Sequence, residues 1–336
     1  MPDLRDRCVS IMEELGITRD TAIDDVIPLT GGVASDIARV EAGGRSYAIK
    51  FALPKLRVAA DWHAPVHRNA AEYAWLKVVA ELQPDSALAL YGRSEKQHGF
   101  VMEFLTGDDV YLWKAALLNA LPKRGEPEAV GALLGQVHAA SSGPNFDAAP
   151  FHNQDDFYAL RIEPYLVHTK TIHPGLSLIL DEMADMLYQS NQVLVHGDVS
   201  PKNILFRAKG PVLLDAECAT MGDASFDPSF CLNHLFLKAI HLPKSCNQLL
   251  KSVAEFWTAY QEHVNWEPAT NLEARVCKLL PALMLGRVDG KSPVEYLNDP
   301  QRAFVRIAAT HLLSTPATSV PEFVERLKQI MKEQSK

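Results

Sequence analysis

Near residue 105 the hydrophobic pattern of this chain changes period, and that change limits the folds open to it. Before it, apolar and polar residues alternate between glycine turns, as in half-buried strands. Asp36-Ile37-Ala38-Arg39-Val40-Glu41 and Ser46-Tyr47-Ala48-Ile49-Lys50-Phe51 flank the turn Ala42-Gly43-Gly44-Arg45 and form a hairpin. Gly99 to Glu103 is a buried strand running toward the turn at Gly107. After it, apolar residues recur every three or four positions, which predicts helices over 128–140, 176–188, 226–242, 247–263, 272–285 and 304–313. The expected fold is α+β in two lobes: a small antiparallel sheet in residues 1–105 and a larger, mostly helical lobe in 106–336. With 336 residues, 47% of them hydrophobic, the chain can bury a core in each.

A single stretch within the helical lobe reads differently. Val193-Leu194-Val195 is a short apolar strand that stops in the polar loop His196-Gly197-Asp198-Val199-Ser200-Pro201-Lys202-Asn203. Ile204-Leu205-Phe206 and Val212-Leu213-Leu214 come next as two strands joined by a turn containing Gly210 and Pro211. If Phe206 pairs with Val212, Asn203 lies opposite Asp215, with Cβ atoms roughly 5 Å apart. An amide oxygen and a carboxylate so placed, with Glu217 two residues on, make a hard-oxygen site of the kind Mg2+ takes when it also holds phosphates. Asp198, on the same loop but outside the hairpin, is placed to accept a proton from an incoming hydroxyl.

The first lobe carries matching groups. The small-residue turn Thr30-Gly31-Gly32-Val33-Ala34-Ser35 lets backbone approach phosphates closely, which makes Gly31, Gly32 and Ser35 candidate nucleotide contacts. Lys50 lies on a strand. Glu72 lies on a helix whose apolar stripe is Ala71, Trp75, Val78 and Leu82, with the glutamate on its flank, where its carboxylate can hold Lys50.

HGDVSPKNILF followed by LLDAECATMGDASFDPSF resembles the HGD-x-x-x-x-N and D-x-E/D blocks of the aminoglycoside phosphotransferase and choline kinase group, small-molecule kinases of protein-kinase-like fold. The resemblance implies a bilobal fold with ATP between the lobes. Asp198 would be the catalytic base, His196 a prop for its loop, Asn203 and Asp215 the Mg2+ ligands, and Glu217 a further ligand or a neighbour of one. Tyr47-Ala48-Ile49-Lys50 resembles the kinase strand whose lysine contacts ATP phosphates, with Glu72 as its partner. Residues 99–107 would be the hinge, where backbone groups near Glu103 and Leu105 meet adenine. Ser200 stands where protein kinases carry a phosphate-facing lysine, and Lys202 would supply that charge from another place on the loop. Eleven residues separate Asp215 from Asp227, too few for a protein-kinase activation loop, so the expected acceptor is a small hydroxylated molecule.

Two blocks, the first running through Ala48 to Val58, Asp61-Trp62 and the helix start Arg68 to Glu72 and the second being Asp215-Ala216-Glu217, are similar to methylthioribose kinases, which implies a sugar-like acceptor. Arg287, Asp289 and Lys291 are the polar candidates toward the substrate end, or else belong to a solvated loop between helices. An antibiotic kinase and an inactive nucleotide- or metabolite-binding kinase fold are the competing readings.

The net charge of −8 argues against a nucleic-acid partner and favours a neutral or cationic acceptor. Cys8, Cys218, Cys231, Cys246 and Cys277 are scattered and odd in number, as expected in a reducing compartment. His138, His234 and His311 have no metal-ligand spacing. No apolar run approaches the length of a membrane span, and a cytoplasmic location is expected.

Overall fold

The computed structural model describes residues 3–18, 23–29, 34–57, 64–119 and 125–334. The chain divides into two compact units, Met1–Val110 and Tyr111–Lys336.

The first unit runs α1 (Leu4–Glu14), β1 (Ile23–Leu29), β2 (Ser35–Ala42), β3 (Arg45–Ala52), α2 (Asn69–Leu82), β4 (Leu90–Ser94) and β5 (Gly99–Glu103). Its described strands form one antiparallel sheet in the order β1-β2-β3-β5-β4. Gly43 and Gly44, at φ +59° and +72°, make the two-residue turn between β2 and β3, a left-handed pair that matches strand twist. β3 is therefore central, and Lys50 stands on it between Ile37 and Phe100. α1, which the sequence pattern did not reveal, packs Cys8, Ile11 and Met12 against Val40, Ile49, Phe51 and Val101.

α2 departs from the expected stripe. Its buried face is Ala71, Glu72, Trp75, Leu76 and Val79, whereas Val78 is half-buried and Leu82 is exposed. The face is turned by about one residue, about 100° on a helix, because Glu72 is itself among the buried residues.

The second unit runs β6 (Tyr111–Leu112), α3 (Trp113–Leu118), α4 (Glu126–Ser141), α5 (Gln154–Phe157), a π-helical segment (Tyr158–Val167), α6 (His168–Ile172), α7 (Ser177–Gln189), β7 (Val193–Val195), β8 (Ile204–Arg207), β9 (Gly210–Leu213) and β10 (Thr220–Gly222). Five longer helices complete it: α8 (Phe226–His241), α9 (Cys246–Gln261), α10 (Ala269–Asp289), α11 (Asp299–Ser314) and α12 (Val320–Gln334). α8 is buried on every side from Phe226 to Ile240 and is the axis of the core. α4 and α9 touch backbone to backbone. A Cβ on Gly131 would lie 2.3 Å from the Phe256 carbonyl oxygen, and one on Gly135 would lie 2.7 Å from that of Tyr260. Among the described residues no helix is long and apolar enough to cross a membrane.

Candidate active site

β7 is wholly buried and pairs with β10, so the chain leaves the core at Val195 and enters the loop. Asp227, at the start of α8, fixes the path of that loop. Its carboxylate accepts the His196 N–H at 2.6 Å and the Gly197 N–H at 2.9 Å. Gly197 takes φ +83°, and a Cβ there would meet the Cβ of Cys218 at 2.9 Å, so only glycine makes this bend without displacing its neighbour. The next amide, Asp198 N–H, donates to His196 Nδ1 at 3.1 Å. That bond places the ring proton on Nε2. Burial lowers the pKa of His196 against the pull of Asp227 and Asp198, so the ring is neutral and holds the loop in shape.

Asp198 is 4% exposed. Arg161 Nη2 lies 3.1 Å and Lys202 Nζ 3.3 Å from its Oδ2. Burial pushes the carboxyl pKa up, but Lys202 and Arg161, with His196 and Arg287 behind them, outweigh burial and hold it well below the usual carboxylate range. Asp198 is thus ionised at neutral pH. Asp198 raises the pKa of Lys202 and so keeps it charged, and its side chain is 44% exposed.

Arg161 has no counterpart among the residues singled out from sequence. It lies on the π-helical segment and also donates from Nε to the Gly197 carbonyl and from Nη1 to that of Leu160 at 2.7 Å. A lone arginine between Leu160 and Ile162 in an apolar stretch was the available signal.

The metal-ligand register needs correction. β8 and β9 are joined by only two residues, Ala208 and Lys209, so Arg207 pairs with Gly210 and Ile204 with Leu213. The pairing is one residue off the expected one, and the Asn203 carbonyl accepts the N–H of Leu214, not of Asp215, at 2.8 Å. Asn203 stands at the end of a 3-10 turn, Pro201–Asn203, and its Nδ2 donates to the Asp198 carbonyl at 3.1 Å. The amide oxygen is thereby turned away and makes no hydrogen bond among the described residues. Asp215 adopts φ +68°, an uncommon conformation for a residue other than glycine and one that concentrates at functional sites. Its charge acts on both Lys202 and His196, which places it by the same loop. Glu217 is 5% exposed, and its charge acts on Arg161.

These donors fit a hard divalent cation. Among the described residues no group of three or more His, Cys, Asp or Glu is arranged as a metal cage. A few protein oxygens supplemented by phosphates is how Mg2+ is commonly held.

In the first unit Lys50 Nζ and Glu72 Oε2 form an ion pair at 2.7 Å, with both residues 3% exposed or less. Ser35 is buried at the start of β2. The Glu103 N–H donates to the Ala89 carbonyl at 2.8 Å, and Leu105 is half-buried just beyond β5. Gly31 and Gly32 lie outside the described residues.

Arg287 and Asp289 are not in a solvated loop. Both belong to the last turn of α10, where Arg287 is 8% exposed and Asp289 pairs with Arg306 at 2.6 Å and His173 at 2.7 Å. Lys291 pairs with Glu163 at 2.7 Å.

Solved structures share this architecture. An amicoumacin kinase in complex with AMP-PNP, Ca2+ and Ami matches with a TM-score of 0.59 at 14% identity, over 94% of this chain and 96% of that one. A Plasmodium vivax ethanolamine kinase matches with a TM-score of 0.56 at 12% identity, over 90% and 88%. A methylthioribose kinase of Bacillus cereus (strain B4264) is 22% identical over 278 residues, covering 69% of this chain and 70% of the relative. The fold is protein-kinase-like, and its class is that of the small-molecule phosphotransferases. The chain belongs to the phosphotransferase enzyme family, whose model matches residues 25–240.

Proposed function

We propose that the protein transfers the γ-phosphoryl group of ATP, with Mg2+, to a hydroxyl of a small sugar-like polyol. The observation that carries this reading is Asp198, buried on an anchored loop and held ionised between Arg161 and Lys202. A carboxylate this acidic is a weak base in the ground state. It orients the acceptor hydroxyl and takes its proton as the oxygen bonds to phosphorus and that proton becomes acidic. Asn203 and Asp215, with Glu217 nearby, would hold the metal, which when bound neutralises charge on the phosphates. Lys50, steadied by Glu72, binds phosphate oxygens, and Lys202 has an exposed ammonium that offers a second positive charge beside the transferring group. The similarity to methylthioribose kinase supports a sugar-sized acceptor.

The test is ADP release by the purified protein with ATP and Mg2+ against methylthioribose, other pentoses, sugar acids, amino alcohols, homoserine and aminoglycosides, with Asp198→Ala as control. Acceptor-dependent release that the variant lacks is the expected result. ATP binding with no acceptor-stimulated release across the panel would count for a nucleotide-binding scaffold, and aminoglycoside turnover would place the protein among antibiotic kinases.

A further inference from the structure

A second group of polar side chains in the helical unit remains unexplained by the phosphoryl-transfer reading. Arg287, at the end of α10, spends one corner of its guanidinium on protein. Nη1 donates to Tyr165 Oη at 3.0 Å, to the Ser292 carbonyl at 2.5 Å and to Ser292 Oγ at 3.2 Å. Nε is buried without a partner, and Nη2 makes no hydrogen bond among the described residues. Nε–H and Nη2–H are the two parallel donors of one guanidinium edge, the fork that a carboxylate fits with both oxygens.

Among the described residues no carboxylate forms an ion pair with Arg287 or with Lys238. Lys238, 1% exposed on α8, makes only a 3.5 Å contact from Nζ to the His234 carbonyl and sits 5.1 Å over the Tyr296 ring. Glu295, the acid that acts on it, is exposed and already paired with Lys114. Tyr296 Oη and His234 Nε2 are buried without partners. A well-packed core leaves few such atoms, because each forgoes the hydrogen bond it had in water. Their concentration around two buried cations points to a ligand that supplies the missing contacts.

The group also lies by the loop bearing Asp198. Arg287 is among the charges acting on Asp198, and Asp198 and Lys202 both act on His234. Arg287 and His234 keep 8% and 5% of their surface exposed, so the group is not fully closed off from solvent.

We infer that the acceptor carries a carboxylate, which seats on the Nε/Nη2 edge of Arg287 beside Lys238 and Tyr296 while its hydroxyl faces Asp198. The substrate class is then a hydroxy acid or sugar acid. This rests on the proposed phosphotransferase reading and narrows its acceptor. The net charge of −8 pointed toward a neutral or cationic acceptor, but the local charge at this site has the opposite sign.

Matched pairs test this with the full-length protein: ribonate against ribitol, and glycerate against glycerol, with methylthioribose and kanamycin alongside. Affinity is measured by calorimetry with AMP-PNP and Mg2+ present, and kcat/KM by ADP release. Each acid should exceed its neutral partner on the order of 10- to 100-fold, the worth of a charge-assisted hydrogen-bond pair. Arg287→Lys keeps the charge and loses the fork, and should cut that preference at least several-fold while leaving the KM for ATP unchanged. Lys238→Met provides a second variant if the first misfolds, and the wild-type pair ratios decide without either.

Equal or tighter binding of the neutral partners or kanamycin overturns the inference, as does failure of every acid to bind. A preference that survives Arg287→Lys overturns it too, and a rise confined to the KM for ATP would assign the arginine to nucleotide phosphate. Acid binding without ADP release from any acceptor would sink the phosphotransferase reading and leave the carboxylate site standing. Turnover of neutral polyols without acid preference would do the reverse.

Discussion

Replacing Lys238 by methionine should stabilise the protein, and by an amount that depends on pH. Lys238 lies on the face of α8 that also carries Cys231 and His234, and the charges acting on it are Lys114, Arg287 and Glu295. Burial first, then repulsion from Lys114 and Arg287, lowers its pKa from 10.5 to about 7, against the weaker pull of Glu295. The unfolded chain therefore binds a proton more tightly than the folded one between pH 7 and 10.5. The destabilisation is complete below pH 7, fades as pH rises and is gone above 10.5. At about 1.4 kcal/mol per pH unit between these limits, its upper bound is about 5 kcal/mol below pH 7, falling to roughly 1 kcal/mol at pH 9.5. Relaxation and water entry reduce such figures, and replacements of buried ions by apolar residues of similar size gain about 1–4 kcal/mol. Methionine matches the lysine stem in length, and the His234 carbonyl that loses the 3.5 Å contact still accepts a backbone N–H within α8. Urea unfolding of both proteins at pH 6.5 and pH 9.5 measures the difference. The expected gain is about 2–4 kcal/mol at the lower pH and at most about 1 kcal/mol at the higher. A variant no more stable than wild type at pH 6.5, or a gain equal at the two values, would mean that Lys238 has a counter-charge or water that offsets its burial.

Other substitutions probe the loop and its supports. Asp198→Asn should reduce kcat by about 10²–10⁴ in the ADP-release assay. Because the Asp198 pKa is depressed, the base stays ionised as pH falls from 8 to 5, so the wild-type profile should show no acid limb there that Asp198→Glu displaces. Asp227→Asn puts an amide NH2 against one of two backbone N–H donors and should cost about 1–3 kcal/mol in urea unfolding, with turnover reduced through the displaced loop. Gly286→Ala would bring a Cβ within 2.5 Å of the Tyr165 carbonyl oxygen, on the π-helical segment that carries Arg161. Overpacking of this kind costs about 1–3 kcal/mol, and kcat should fall while the KM for ATP holds; an unchanged kcat would show that the segment can shift without moving Arg161.

The loop bearing Asp198 was legible because its sequence is a local contrast: three buried apolar residues, then a polar run with His196, Asp198 and Asn203 in fixed order. The six expected helices were legible for a similar reason, since a stripe repeated over ten or more residues outweighs local exceptions. The hairpin register was not. Both a two-residue and a five-residue turn suit Arg207-Ala208-Lys209-Gly210-Pro211, and turn length alone decides which residue faces Asn203. Arg161 was hidden because its contacts to Gly197 and Asp198 are distant in sequence and because Pro164 and the π-helical winding around it break the 3.6-residue period by which helix faces are read. Arg287 looked like a loop residue because it sits between Gly286 and Gly290. Those glycines instead allow α10 to pass within contact distance of the backbone at Tyr165 and Pro164, which buries the arginine.

The two polar groups of the helical unit meet on one helix. Asp227, Phe230, His234, Lys238 and His241 recur at three- and four-residue intervals along α8 and so share a face. One end of that face anchors the loop bearing Asp198, and toward the other end lies Lys238, one of the two cations of the proposed acceptor site. A helix buried on all sides would be most stable if wholly apolar, and each of these polar groups costs burial free energy that the fold does not need. Asp227 recovers some of that cost through two backbone N–H donors. Lys238 and His234 recover little in the free protein. Natural sequences depart from local consistency in this way mainly at functional sites. An anionic ligand seated near Asp198 would offset the cost of Lys238, so ligand binding and folding stability should be linked through that residue. The carboxylate that binds most tightly should therefore also raise the unfolding temperature most, and Lys238→Met should weaken that dependence while raising the baseline.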